Sequence, residues 1–321
     1  MTWNDETMAK AMQIRYVKLH FELEMLEDGR LPKNKASMMR GGMGRMLLMM
    51  NCVRDENCGA CDFEEECLVR RIMYAPMKIR PSFMTQNDSE GYVIECEDRE
   101  EEFAAGDVLE FQLVLFGNCI VYFNQFVQAF HALGMAGIGK ERLRYRISRV
   151  TNTNRELLLE DGLFHKNRYR IRRVEEYVRY RIRAFEDNEE ALIVFHTPLS
   201  LKYNGSFLNT FDPSALLAAA WRRLFIMNCY EGLREGEVYQ RPDFEGHIPS
   251  KVDERVFREG LPRYSGTHDE KMLLRGIRGS CRLSDVDRTA MALLLAGELL
   301  HIGKNTSFGF GRYTVKNVRE E

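Results

Sequence analysis

Two periodicities alternate along the chain. From Ile14 to Leu26 apolar and polar side chains take turns, with Val17, Leu19, Phe21 and Leu23 on one side of the backbone and Tyr16, Lys18, His20 and Glu22 on the other, so the segment predicts a strand with one buried face. Ser37 then reads as the N-cap of a helix that carries Arg40, Gly41, Gly42, Gly44 and Arg45 ahead of the apolar residues Met46 to Met50. Met77 to Glu97 has strand character broken by Asn87-Asp88-Ser89-Glu90-Gly91, a hairpin turn signal, and Val108 to Phe116 is a further strand. An apolar helix over Tyr122 to Leu133 and an alternating basic strand over Arg142 to Val150 complete a βαββαβ order.

The second half of the chain reads the same way. Ala191 to Leu199 predicts a strand, Asp212-Pro213 caps a helix running to about Cys229, and Leu261 to Leu283 supplies a hairpin. Ser284 to Asp287 caps a last helix, Thr289 to Leu300, and a strand follows from Arg312 to Val318. The succession of apolar helix, glycine loop with an Ile-Gly-Lys run, and basic strand therefore occurs twice, at Gly134 to Lys140 and again at Ile302 to Arg312. The expected fold is α+β, made of tandem ferredoxin-like (RRM-like) βαββαβ domains over residues 1–155 and 156–321. A chain of 321 residues with 45% hydrophobic content can bury two such cores. No apolar run approaches the length that spans a bilayer, so a cytoplasmic protein with no membrane partner is expected.

The glycine loops carry the first chemistry. Gly303, Gly309 and Gly311 stand close together with Lys304, Ser307 and Arg312, and Gly137 and Gly139 stand beside Lys140. Backbone of this kind can approach a polyanion closely and donate N–H groups to it. A nucleotide-triphosphate loop is excluded: five residues separate Gly297 from Gly303, Asn305 follows the lysine, and the order is helix to strand rather than strand to helix. Charge adds a second pointer. The chain carries −2 overall, yet residues 140–183 hold fourteen Lys and Arg against six Asp and Glu, a local +8 that leaves −10 elsewhere. Lys140, Arg142 and Arg144 lie at the start of that stretch, and Arg170, Arg172 and Arg181 alternate with Tyr169, Tyr177 and Tyr180 near its end. The stretch thus offers charge and stacking surfaces to an RNA strand, or else a solvated charged face.

Cys52, Cys58, Cys61 and Cys67 are spaced C-x5-C-x2-C-x5-C, which in a cytoplasmic protein favours thiolate ligation over disulfides. Four sulfur ligands predict a closed, structural zinc site; an iron–sulfur cluster uses the same ligand type. Cys96, Cys119, Cys229 and Cys281 lie apart in apolar or strand-like surroundings and read as ordinary buried thiols.

The chain resembles the CRISPR-associated endoribonucleases of the RAMP superfamily that cut precursor CRISPR RNA. The likeness rests on Leu31-Pro32 with Met39-Arg40-Gly41-Gly42-Met43-Gly44-Arg45, the cysteine group, Gly134 to Lys140, Thr197-Pro198-Leu199, and His301-Ile302-Gly303-Lys304 through Gly309-Phe310-Gly311-Arg312. It implies two RAMP-type domains, repeat RNA or mature CRISPR RNA as partner, and in some members a place in a CRISPR effector complex. It also implies cleavage without a catalytic metal or other cofactor: the ribose 2′-hydroxyl attacks the adjacent phosphate, leaving a 2′,3′-cyclic phosphate and a 5′-hydroxyl. The histidine that many members carry on their first helix is absent, since residues 37–50 hold none. His301 is the first catalytic candidate, because it ends a helix whose dipole favours an imidazolium; the alternative is a cap satisfied by backbone carbonyls. His131 holds a similar place before the first glycine loop, on a mostly apolar face. Lys304 could steady the developing phosphorane charge.

Overall fold

A computed structural model describes the chain apart from residues 1–4, 57, 59–60, 75, 78–79, 85–90, 161–162, 186–188, 234–237, 241, 266–269 and 319–321. The expected turn over residues 87–91 therefore lies almost wholly outside the described residues. The chain divides into two compact units, one of residues 16–78 and 82–171, the other of residues 1–15, 79–81 and 172–321.

After α1 (Asp5–Ala11), which belongs to the second unit, the first unit is built on β1 (Arg15–Met25). Short β2 (Gly29–Arg30), helices α2 (Lys35–Asn51) and α3 (Leu68–Met73), β3 (Tyr92–Glu95), short β4 (Glu102–Phe103) and β5 (Val108–Phe116) follow. Helix α4 (Phe123–Ala136), β6 (Tyr145–Asn152), β7 (Leu157–Glu160) and β8 (Leu163–Phe164) complete it. The strands are antiparallel in the order β3-β5-β1-β6-β7-β8. The alternation read in the sequence is the one realised: Leu19, Phe21 and Leu23 are wholly buried. Phe21 stacks on Phe111 with centroids 4.7 Å apart, and Phe130 of α4 tilts against both. Helix α2 starts earlier than expected: Asn34 is the N-cap, and its side chain accepts from the Ser37 amide. Residues 156–171, assigned above to the second domain, belong to the first unit because β7 pairs with β6 and β8 with β7.

The second unit opens with β9 (Arg172–Arg173) and α5 (Val174–Ile182), so the arginine- and tyrosine-bearing end of the basic stretch is largely helical. Next come β10 (Ala191–Leu199), the small hairpin β11 (Lys202–Tyr203) and β12 (Ser206–Phe207), α6 (Pro213–Glu231), the long hairpin β13 (Ser250–Ser265) and β14 (Glu270–Ser284), α7 (Arg288–Leu300) and β15 (Tyr313–Lys316). Asp212 and Asp287 cap α6 and α7 through the amides of Ala215 and Ala290. The strand order is β13-β14-β10-β15. The four main strands of each unit, taken in sequence, thus lie in the order second, third, first, fourth with two crossing helices. Both are ferredoxin-like βαββαβ sheets, as the element order predicts. Among the described residues no helix is long and apolar enough to cross a membrane.

The duplication extends to one interaction. In the first unit the hydroxyl of Tyr145, the first residue of β6, donates to the Phe130 carbonyl of α4 at 2.6 Å, and a Cβ on Gly134 would lie 2.9 Å from the Tyr145 ring. In the second unit the hydroxyl of Tyr313, the first residue of β15, donates to the Leu294 carbonyl of α7 at 2.6 Å, and a Cβ on Gly297 would lie 2.3 Å from the phenol oxygen. Burial holds both phenols far above their ordinary pKa, so both remain neutral donors.

Gly297→Ala therefore tests the lock. Helix propensity alone would stabilise α7 by about 1 kcal/mol, but the buried phenol cannot swing aside, and overpacking of this kind costs about 1–3 kcal/mol. We expect a net loss in denaturant unfolding, and in a Tyr313→Phe background a distinctly smaller one. Additive effects in that double-mutant cycle would show that the two residues do not interlock.

Candidate nucleic-acid interface

The second glycine loop is folded inward. At Gly303, with φ +88°, a Cβ would lie 2.6 Å from the Ser200 carbonyl oxygen, and at Gly311, with φ +69°, it would lie 1.8 Å from that of Ile302. Glycine is required at Gly303 because the loop is drawn against the residue that follows β10, and at Gly311 because the two ends of the loop lie against each other at Ile302. The Lys304 amide donates to the Ser200 carbonyl at 2.8 Å, and the Gly311 amide to that of Pro198 at 3.1 Å. The Arg312 amide donates to the Thr197 hydroxyl at 3.0 Å. Thr197-Pro198 lies where β10 breaks register with β14. Amides expected to face a polyanion are thus engaged within the protein, and Ser307, Gly309 and Gly311 are buried. His301, at 0% exposure, is the C-cap of α7, and its Nδ1 stands 3.2 Å from the Phe310 carbonyl oxygen. A wholly enclosed imidazole has no path to an RNA phosphate in this conformation; its geometry is that of a brace between the helix end and the loop.

What the loop does present is Lys304. Asn204 and Gly205 both have positive φ and turn the β11–β12 hairpin, which brings the half-exposed Phe207 near the loop; the Lys304 ammonium lies 5.4 Å from its ring centroid. Both line a cavity of about 800 Å3 with Asn209, Asn305, Arg258 and Arg275, together with the buried Leu199 and Leu201 and the exposed Leu273. That volume suits a nucleotide-sized group. Lys304, Arg258 and Arg275 are exposed, and Glu259 in the same wall pairs with Arg278 at 3.4 Å, so the lining is basic. Among the candidate catalytic and RNA-binding residues read from the sequence, only Lys304 lines this cavity. Phe207, Asn209, Arg258 and Arg275 are not among them, although the Asn204-Gly205 turn and the spaced arginines of residues 255–278 are legible signals for them.

The first glycine loop closes on itself through the Ile138–Leu143 bridge, and a Cβ on Gly137 would meet the Arg142 carbonyl at 2.0 Å. Gly139, with φ +73°, packs on Leu31 and leaves Lys140 and Arg142 exposed. On α2, Gly42 and Gly44 admit Leu133 and Met73, so these glycines serve close packing. Arg40 is engaged within the protein, and Arg45 pairs with Glu56. His131 is exposed on α4, not on an apolar face.

Ion pairs reduce the basic stretch. Arg144 binds Glu27 at 2.7 Å and Arg146 binds Glu24 at 2.8 Å. Arg170 binds Glu156 at 2.8 Å and, with Asn152, holds that carboxyl down at about 2. Arg181 is structural: it donates to the Val315 carbonyl at 2.7 Å and meets Glu298, which also accepts from Tyr177 at 2.6 Å, tying α5 to α7 and β15. Arg172 and Arg312 are likewise engaged within the protein. A second cavity, about 590 Å3 on the first sheet, has a lining of mixed sign, with Lys18 paired to Glu95 at 2.9 Å and His20 3.5 Å from Glu110.

The four clustered cysteines are free thiols and line one small hollow, and Cys58 is pushed up by burial and then by Cys67, Cys52 and Cys61. Among the described residues, no group of three or more His, Cys, Asp or Glu has its donor atoms already arranged to hold a metal ion. Of the four remaining thiols, Cys119, Cys229 and Cys281 are buried as expected, whereas Cys96 is half-buried.

Residues 193–313 match the family model of the CRISPR-associated endoribonuclease Cas6, and residues 14–176 match a family described only as an N-terminal domain. No curated protein matches the chain. Among solved structures, a partial Cas6–RT–Cas1–Cas2 complex aligns with a TM-score of 0.58 at 12% identity over 95% of this chain, which spans about half (47%) of that one. A Cas6 product complex aligns with a TM-score of 0.51 at 16% identity, over 94% of this chain and 99% of that one. Cas6 of Thermus thermophilus aligns with a TM-score of 0.50 at 14% identity, over the same shares. At such identities the structural likeness establishes the fold.

If the cavity takes an RNA backbone, Lys304→Ala and Arg275→Ala should each weaken single-stranded RNA binding and flatten the log–log salt dependence by about 0.7 for each phosphate no longer neutralised. Glu substitutions at Arg144, already paired, should move affinity less. Equal losses at all three positions would show that binding follows charge and not the cavity.

Proposed function

We propose that this chain, which belongs to the Cas6-type CRISPR-associated endoribonucleases, binds CRISPR repeat RNA at the Lys304 cavity and cuts precursor CRISPR RNA there. The observation that carries the reading is the coincidence of the family match, residues 193–313, with the cavity, whose walls all fall inside that range. The chemistry is that of the family resemblance: the 2′-hydroxyl beside the scissile phosphate attacks in line, a pentacoordinate phosphorane forms, and the 5′-oxygen leaves, giving a 2′,3′-cyclic phosphate and a 5′-hydroxyl with no catalytic metal. Arg258 and Arg275 hold flanking phosphates, Phe207 offers a stacking face, and Lys304 stands where an ammonium can neutralise the phosphorane oxygens.

A second reading is a RAMP subunit that binds repeat RNA within a CRISPR effector complex without cutting it. The enclosure of His301 and the lack of histidine in residues 37–50 favour it. Assembly with other CRISPR proteins is supported, at the level of fold, by the likeness to a chain of a Cas6–RT–Cas1–Cas2 complex.

Incubation of the purified chain with repeat RNA in EDTA separates the two. The first reading predicts a single cut with 5′-hydroxyl and cyclic-phosphate ends. Lys304→Ala should slow single-turnover cleavage at saturating protein by about a hundredfold or more, and folded His301→Ala should stay within a few-fold of the parent while losing stability. Tight binding with no cleavage would establish the second reading.

A further inference from the structure

The segment joining α2 to α3 is organised around sulfur. Residues 53–67 hold no described α-helix or β-strand, a long connection for a compact unit. Its large apolar side chains face outward, Val53 at 79% and Phe63 at 50% exposure, while all four cysteines are half-buried and line one hollow. Apolar burial therefore does not hold this loop in shape. Cys52 sits at the C-cap of α2, its amide donating to the Leu48 carbonyl at 2.8 Å. Cys67 sits at the N-cap of α3 without a side-chain cap bond, its amide donating to the Phe63 carbonyl at 3.0 Å. Two sulfurs are thus anchored at helix ends, and two ride on the loop between them.

We propose that Cys52, Cys58, Cys61 and Cys67 bind one zinc ion that fastens the end of α2 to the start of α3. The hollow is small, about 30 Å3, and the four thiols around it match the closed tetrahedral shell of a structural zinc site. Arg54 and Arg70 line the same hollow together with Glu56 and Glu64, and they pair with Asp62 and Glu64, so the charged side chains around the thiols balance one another. The thiols converge without yet forming a ligand set. Zinc draws the two loop sulfurs inward as each of the four thiols gives up its proton to solvent, four protons per ion. The site is structural: four protein ligands leave no open position.

The test uses the full chain purified under reducing conditions. Elemental analysis should find about one zinc per chain, and titration with an organomercurial should release it as four thiols react. A Cys58→Ser/Cys61→Ser variant should lose the zinc and gain protease sensitivity between α2 and α3, whereas Cys96→Ser should keep the metal. Iron with visible charge-transfer absorption, the absence of metal, or zinc retained by the double variant would each overturn the assignment. The mercurial titration needs only the parent chain, so it decides even if the double variant fails to fold.

Discussion

A phenol hydroxyl bonded to the carbonyl of a helix turn, with a glycine making room for it, is the constraint from which the candidate site follows. Tyr313 fixes where β15 starts relative to α7, so the twelve residues between them must return across a short gap. They do so by packing Gly303 against Ser200, just past β10, and Gly311 against Ile302 of the loop itself, where any side chain would strike a carbonyl. Lys304, pinned by its amide to Ser200, is then directed at Phe207 and the cavity beside it. Tyr145 and Gly134 repeat the arrangement in the first unit, where the following loop closes on itself and ends in the exposed Lys140 and Arg142.

The glycine loop acts as a scaffold more than as a phosphate cradle. The amides of Ile302, Lys304, Phe308, Gly309, Phe310 and Gly311 are bonded to protein carbonyls, and the side chains of His301, Thr306 and Ser307 are enclosed. Leaving such amides unbonded when RNA is absent would carry a desolvation cost of about 1–3 kcal/mol each, so a loop that bonds them internally is the more stable design. Around the cavity, the exposed cations besides Lys304 of the loop are Arg258 and Arg275, carried by the long hairpin.

The architecture is legible in the sequence because alternation and helical spacing are local. Leu19, Phe21 and Leu23 of β1, the caps at Asp212 and Asp287, and the repeated helix–glycine–strand order can all be read within a few residues. What stays hidden is set by partners distant in sequence. Arg144 looks like a free phosphate ligand until Glu27, 117 residues earlier, is seen against it. Arg181 likewise meets Glu298. The domain boundary falls in the wrong place when read from the sequence, because the short β7 and β8 have too few residues to show which sheet they extend. His301 reads as poised for chemistry only while the Phe310 carbonyl, on the other side of the loop, is out of view.

On the proposed function, RNA is held in the cavity beside Lys304 and not along the arginine-rich stretch as a whole. Photocrosslinking of uridine-substituted repeat RNA to the intact chain, followed by mass spectrometry of the adducts, tests it most directly. Adducts concentrated on Phe207 and its neighbours in residues 199–209, 258–276 and 304–305 are the predicted result. Adducts confined to residues 140–183, with none in the cavity walls, would contradict the account.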